Sequence, residues 1–388
     1  MSKVMHQMSA NAERAGVARG QALRDPVSDE TQGTTHETEG TGPELLLEAL
    51  ARQNLLKAMK RVKANKGAAG VDGMDIDQTV EYLKHHWPRI RSELLAGTYR
   101  PSPVRRVAIP KPDGGERELG IPTVVDRLIQ QALLQVLQPL IDPTFSEHSH
   151  GFRPARRAHD AVLAAQSFVQ SGKKVVVDVD LEKFFDRVNH DILIDRLSKR
   201  IHDAGVIRLV RAYLNSGIMS NGVVLEREEG TPQGGPLRPL LANVMLDEVD
   251  KELERRGYSF ARYADDCNVY VGSWKSGERV MALLKRLYAK LHLRVNESKS
   301  AVASAYGRKF LGYSFWAAKD TVVKLRVADK AQKAYKQRVR QLTRRIGGKG
   351  MVEVVNAGRN FPTLAGRIFP HPWEFWAVSP ALKTGTPF

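Results

Sequence analysis

Two short acidic segments carry the side chains of this sequence best suited to chemistry. One is VVVDVDLEKFFD (175–186), an apolar run that reads as a strand and delivers Asp180 near its end. The other is YADD (263–266), flanked by Phe260, Arg262, Cys267, Val269 and Val271 in the pattern of a hairpin, with its aspartates at the tip. Hard divalent cations take oxygen ligands, so carboxylates converging from two different elements suit them. Two such ions about 4 Å apart support phosphoryl transfer, one assisting the attacking hydroxyl and the other neutralising the leaving group. Alone, YADD is a weak signal. Four-residue motifs recur by chance, and a solvated Asp-Asp turn repels little because water screens it. Asp178 lies two residues before Asp180 and projects from the same face, where a supporting hydrogen-bonding role is expected of it.

The elements that must position these groups can be read from periodicity. A leucine-rich helix is expected from near Leu45 to Ala64, then a glycine-rich loop over 65–73 and a second helix over 76–95 that tolerates Pro88. Residues 104–109 and 117–121 read as a hairpin turning at Pro112–Gly115. Val125, Leu128, Ile129, Ala132, Leu133, Val136, Leu137 and Leu140 mark a long helix, and 158–171 and 190–200 two more. The loop 230–235 leads into a helix carrying Leu241, Met245, Val249 and Leu253 and ended by Gly257. Val280, Leu283, Leu284, Leu287 and Leu291 lie on a further helix, and 309–315 forms a strand. Strands and helices mix without regular βαβ repetition, which predicts an α+β fold.

The two ends differ from this body. Residues 1–43 are rich in Gly, Ser, Thr and Glu and are expected to be disordered. Between Lys324 and Arg345 there are nine basic residues and one acidic on a helical pattern, whereas 347–388 reads as an irregular tail. The whole chain of 388 residues carries 60 Lys plus Arg against 43 Asp plus Glu, a net charge of +17. Such a field suits a phosphate backbone, although a basic solubilising surface has the same composition. No apolar run approaches the ~20 residues that span a bilayer, and no N-terminal apolar core marks a secretory signal, so a cytoplasmic protein without a membrane partner is expected. Cys267 stands alone, which excludes an internal disulfide framework and a zinc knuckle. No glycine-rich phosphate loop follows a strand, so dehydrogenase and kinase chemistry find no support.

Read in order, these blocks resemble the reverse transcriptases encoded by bacterial group II introns. RRVAIPKPDGGERELGIPTVVDRLIQQAL (105–133) is similar to their fingertip block and HGFRP (150–154) to the next. DLEKFFD (180–186) resembles the block of the first catalytic aspartate. GTPQGGPLRPLLANVML (230–246) is nearly the family text, YADD is its catalytic hairpin, and LRVNESKS (293–300) and FLGYSF (310–315) resemble the last palm blocks. The resemblance covers about residues 45–345.

It implies a right-hand polymerase fold and an RNA-directed DNA polymerase that adds dNTPs to a DNA primer on an RNA template with two Mg²⁺ ions, which Mn²⁺ can replace. Asp180 and Asp265 would ligate both ions, with Asp266 beside them. Asp180 is preferred to Asp178 because the family pattern has an aromatic residue five positions later, here Phe185. That ring would act as a steric gate against the ribose 2′-hydroxyl, while Phe184 belongs to the core. Lys111 and Arg117 would clamp the triphosphate, Gln233 would support the nucleotide and template base, and Lys299 would protonate pyrophosphate as general acid. Lys330, Lys333, Arg338 and Arg345 could track duplex phosphates without reading sequence.

The implied organisation is fingers with an N-terminal extension over 44–174, a palm over 175–322, and the start of a helical thumb over 323–346, with the reverse transcriptase domain at about 90–315. The family usually continues into a helical maturase domain that binds intron RNA. The text after Arg345 loses that pattern, so a truncated or frameshifted copy is expected, and no pair of CxxC motifs marks a zinc-bearing endonuclease domain. Two other readings share these residues, a non-catalytic intron RNA-binding splicing factor and a domesticated relative in defence or repair. Nothing in the sequence fixes an oligomeric state.

Overall fold

The structure, a computed structural model, describes residues 44–110, 116–220, 223–225, 230, 234–317 and 322–342. The expected disordered segment 1–43 and the tail 347–388 lie outside these residues. Two units share the chain. One comprises residues up to Phe145, Glu182–Glu248 and Tyr288–Arg294; the other comprises Ser146–Leu181, Val249–Leu287 and residues from Val295 onward. Both are discontinuous in sequence.

The first unit is mostly helical. Helices α1 (Glu44–Ala49) and α2 (Arg52–Ala64) replace the single helix expected over 45–64. Ala51 is extended (ψ 141°), and Asn54 Nδ2 donates to the Ala49 carbonyl (2.9 Å) and to that of Ala132 (3.0 Å), so the break leaves no orphaned acceptor there. Helix α3 (Ile76–Ala96) starts at an Asp75–Gln78 capping box, contains Pro88 and ends at Gly97, whose φ of 72° suits a residue without Cβ. Strands β1 (Val104–Pro110) and β2 (Glu116–Ile121) pair antiparallel as expected, and the hairpin tip lies outside the described residues. In α4 (Val124–Ile141) the predicted stripe is buried from Val125 through Leu137, while Leu140 is exposed. At its start the Asp126 carboxylate accepts from the Thr123 hydroxyl (2.7 Å), the Tyr99 hydroxyl (2.9 Å) and the Ser102 N–H (3.2 Å). Burial raises the Asp126 pKa, and these hydrogen bonds oppose the rise.

Next in the chain come α5 (Ala158–Gln170) and β3 (Val175–Val179) of the second unit. The chain then returns to the first unit in α6 (His190–Ser198), α7 (Ala204–Leu214), β4 (Ile218–Ser220) and β5 (Val223–Leu225). Neither α7 nor the short pair β4–β5 is anticipated by the sequence reading. They complete a sheet of order β2-β1-β4-β5, in which β1 and β4 run parallel. Helix α8 (Arg238–Arg255) follows, ending just before Gly257.

The second unit is built on an antiparallel sheet of order β6-β7-β3-β8, formed by β6 (Ser259–Tyr263), β7 (Asp266–Val271), β3 and β8 (Ala301–Ser304). Alternation gives β3 two faces. Val175 and Val177 face α9 (Trp274–Lys290), where a Cβ on Gly277 would stand 2.5 Å from Val302 Cγ1 and 3.3 Å from Val175 Cγ1. Glycine therefore lets that helix seat closely on the sheet. Val176 faces the other way, into a core with Val162, Ala165 and Val169 of α5 and Tyr270 of β7. Asp178 continues this second face toward the end of the strand. The packing agrees with the expected α+β class, because the central sheet is wholly antiparallel and its helices are not βαβ crossovers.

A second sheet, β11-β10-β9, contains β9 (Lys309–Phe310), β10 (Tyr313–Ala317) and β11 (Val323–Val327). Here the expected basic helix over 324–345 is corrected. Its first residues form β11, because Val323 and Val327 alternate with exposed residues and are buried at 3% and 8% exposure. The side chains of Gln166 and Gln170 on α5 bind the Val323 carbonyl (2.8 Å) and N–H (2.7 Å). Helix α10 (Asp329–Leu342) begins only after that strand. No described helix is long and apolar enough to cross a membrane.

Candidate active site

Register brings the two acidic segments together. On the β3–β7 ladder, Asp178 pairs with Asn268 and Val179 with Cys267. The next positions outward are Asp180 and Asp266, which continue the face that carries Asp178 and Asn268. Cys267 is fully buried on the opposite, apolar face and behaves as the small core residue expected. Tyr263 pairs with Asp266, so Ala264 and Asp265 make the turn between β6 and β7, and Asp266 is already a strand residue. Ala264 has φ 58°, a left-handed conformation that costs a residue with Cβ about 1–2 kcal/mol. Strain of this kind persists where its surroundings over-determine it.

Asp180 lies just past β3 and is held by its backbone. Its N–H donates to Ser300 Oγ (3.0 Å), and its carbonyl accepts from the Asn296 N–H (2.8 Å). Both partners come from NESKS, which gives that block a structural purpose. The same segment carries Lys299, whose Nζ lies 3.7 Å from Asp180 Oδ2 with its side chain largely in solvent.

Asp178 is hydrogen-bonded through both carboxylate oxygens. Arg308 Nε donates to Asp178 Oδ2 (2.7 Å), and Arg308 Nη2 donates to the Lys299 carbonyl (2.9 Å). With its amide turned to satisfy both ends, Asn268 donates to Asp178 Oδ1 (3.0 Å). Burial raises the Asp178 pKa, Arg308 opposes the rise, and the Asp180 charge adds to it. Sequence reasoning missed Arg308, Asn268 and Ser300. Strand alternation could have found Asn268, two residues after Asp266, but nothing local marks the other two.

Asp266 reports the crowding directly. Although the side chain reaches solvent, the surrounding protein, followed by the charges of Asp265, Asp178 and Asp180, pushes its pKa up to about 6, with Lys299 pulling the other way. Among the described residues no three His, Cys, Asp or Glu side chains already form a single-ion cluster. The donor set nevertheless fits divalent cations, since it consists of carboxylates whose mutual repulsion a hard cation would relieve. Asp180, Asp265, Asp266 and Lys299 are thus gathered at one end of this sheet.

In the first unit, Phe184 is buried and Phe185 meets it edge-on with ring centroids 4.7 Å apart. The guanidinium of Arg238 lies over the Phe185 ring, 3.5 Å from its centroid. Arg117 is on β2 opposite Ile109. Lys111, Gln233 and Arg345 lie outside the described residues. Lys330, Lys333 and Arg338 all belong to α10, where Lys333 is exposed.

Comparison with known proteins agrees with this geometry. The family model described as reverse transcriptase (RNA-dependent DNA polymerase) matches residues 109–315. Protein YkfC of Escherichia coli is 36% identical over 227 residues, covering 56% of this chain and 60% of that protein. The group II intron-encoded protein LtrA of Lactococcus lactis is 37% identical over 195 residues, covering 50% of this chain and 32% of LtrA. A putative COX1/OXI3 intron 2 protein of Saccharomyces cerevisiae is 32% identical over 206 residues, 52% of this chain and 24% of that protein. The chain therefore spans less than two thirds of the length of each of these relatives. Since the family model covers more than half of the 388 residues, including the whole acidic end of the sheet, the chain belongs to the reverse transcriptase family.

Proposed function

We propose that this chain extends a DNA primer along an RNA template by transferring nucleotidyl groups from dNTPs. The observation that carries the proposal is the placement of Asp180 and Asp266 one position beyond the last β3–β7 pair, Val179–Cys267, with Asp265 in the adjoining turn and Lys299 3.7 Å from Asp180. Asp180 and Asp265, with Asp266 beside them, would hold two Mg²⁺ ions. When bound, such ions supply Lewis-acid activation of the primer 3′-hydroxyl and charge neutralisation on the triphosphate. The chain's own groups do the rest. Asp178, fixed by Arg308 and Asn268, keeps the strand end in place. Lys299 delivers a proton to the departing pyrophosphate. Phe185 closes the space a 2′-hydroxyl would need, Lys111 and Arg117 clamp the triphosphate, and Gln233 supports the base pair. Lys330, Lys333, Arg338 and Arg345 follow the duplex backbone, and intron RNA is a further expected partner. Work on RNA with dNTPs suits a cytoplasmic location.

A primer-extension assay tests the proposal, using poly(rA)–oligo(dT), dTTP and Mg²⁺ beside Asp180→Ala and Asp265→Ala. The expected result is extension by the wild type and none above background by either folded variant. A folded wild type that incorporates nothing, or variants that match it, would remove the polymerase reading and leave RNA binding as the function to test.

A further inference from the structure

The largest fully buried side chain among the described residues is a charged one, Arg262 of β6, 1% exposed. Its Nε donates to both oxygens of Asp250 on α8 at 2.9 Å, and its Nη2 donates to Asp250 Oδ2 at 2.6 Å. Asp250 is itself 0% exposed. Nη2 also donates to Ser149 Oγ (2.7 Å), and Nη1 donates to the carbonyl of Ala264 (2.9 Å), the residue in the left-handed conformation between Tyr263 and Asp265.

A loop packs against the same turn. The Arg262 N–H donates to the His148 carbonyl (2.9 Å), and the His150 N–H donates to the Arg262 carbonyl (2.8 Å). A Cβ on Gly151 would stand 2.2 Å from the Ala264 nitrogen, so only glycine lets the loop reach the turn. Arg153, also buried, ties the loop to itself through the Ser146 and Ser149 carbonyls (2.6 and 3.0 Å). This assigns HGFRP a place in the molecule, beneath the aspartate turn.

A buried ion pair contributes little to stability compared with a well-packed apolar pair, because desolvation offsets its attraction. What an apolar pair could not do is reach the Ala264 carbonyl with a directed N–H. We propose that Arg262, oriented by Asp250, and the glycine of the 148–153 loop form a positioning device that fixes the Ala264–Asp265 turn for metal binding. Arg262 grips the turn by a carbonyl, and Gly151 admits the loop against the nitrogen of the same residue. Neither residue touches the reacting atoms. The inference rests on reading Asp265 as a metal ligand.

The test uses the full chain and two variants that disturb the turn differently. Arg262→Lys keeps a positive charge for Asp250 but loses the fork that reaches Ala264. Gly151→Ala leaves the ion pair intact and presses on the turn. Mn²⁺ binding is followed by electron paramagnetic resonance, folding by circular dichroism, and primer extension is run in parallel. Residues that orient metal ligands typically alter affinity by about 10–100-fold. Both variants are therefore expected to fold, to bind Mn²⁺ about tenfold more weakly, and to need correspondingly more Mg²⁺ for half-maximal extension while the KM for dNTP stays near wild type. If Arg262→Lys does not fold, Gly151→Ala decides. A folded Gly151→Ala protein with wild-type Mn²⁺ affinity overturns this inference alone, provided that Asp265→Ala abolishes binding. Equal Mn²⁺ binding by wild type and Asp265→Ala overturns the metal-site reading and this inference with it.

Discussion

Nζ of Lys299 lies 3.7 Å from Oδ2 of Asp180, although the two residues are far apart in sequence and the lysine side chain is mostly in solvent. An exposed pair at that separation contributes at most about 1 kcal/mol, so stability is a poor reason for it. The proposed proton delivery would account for it, because a group beside a proposed ligand carboxylate would also be close to where a leaving phosphate is held. Lys299→Met is expected to slow single-nucleotide incorporation by about 10²-fold. Its melting temperature should stay close to wild type, and so should the KM for dNTP. Rapid-quench kinetics and a thermal melt check both halves. An unchanged rate would show the lysine to be a solvated surface group.

The crowding at Asp266 has a pH signature in the metal-free protein. Its folded-state pKa of about 6 lies above the ordinary 3.8, so Asp266 favours the fold while protonated. That contribution is complete below about pH 4 and is lost as pH rises through about 6. Near neutrality the ionised group is a repulsive charge beside Asp265, Asp178 and Asp180. With a chelator present, Asp266→Asn is expected to raise the melting temperature by about 1–3 °C at about pH 7.5, and the gain should shrink at about pH 5. Mg²⁺ should stabilise the wild type more than the variant, since it binds the site the charge helps to form. A gain independent of pH would place its origin outside the carboxylate repulsion.

How much of this could be read in advance depended on whether the signal was local. The aspartate strand and the YADD hairpin were legible because both chemistry and alternation lie within a few residues. That Asp180 and Asp266 share a face follows from register, which the sequence does not state but the joint family text implies. Arg308 could not be foreseen, because its hydrogen bond to Asp178 joins residues far apart in sequence and no local spacing marks it. The misread segment was 324–327, where a count of basic residues hid the alternation of Val323, Leu325 and Val327. The break between α1 and α2 was hidden for a related reason: Asn54 binds the Ala49 and Ala132 carbonyls, and the latter is distant in sequence.

Phe185 offers a test of sugar selection. Its ring is held between Phe184 and the guanidinium of Arg238, 3.5 Å from the centroid, so it cannot swing away without losing both contacts. Phe185→Ala is expected to reduce discrimination between dTTP and UTP by about 10²-fold, chiefly by raising incorporation of the ribonucleotide. Arg238→Met, which removes the cation but keeps bulk, should relax discrimination less. Competitive single-nucleotide incorporation reads both. A Phe185→Ala protein that remains fully selective would assign the ring to the core.

Gly277 tests the packing that supports β3 from behind the site. Alanine is the better helix former by about 1 kcal/mol, which alone would stabilise α9. Against that, the new methyl would stand 2.5 Å from Val302 Cγ1 and 3.3 Å from Val175 Cγ1. Neither neighbour is the end of a flexible chain. Both are β-branched residues with stiff χ1 on strands paired to one another, and overpacking of this kind costs about 1–3 kcal/mol. The collision should outweigh the propensity, so Gly277→Ala is expected to lower the melting temperature by roughly 2–5 °C. Gly272, whose added Cβ would meet nothing within 4 Å, is the control, and Gly272→Ala should change the melt far less. If Gly277→Ala melts higher than wild type, α9 can move away from the sheet at little cost, and the strand carrying Asp178 is held mainly by its ladders to β7 and β8.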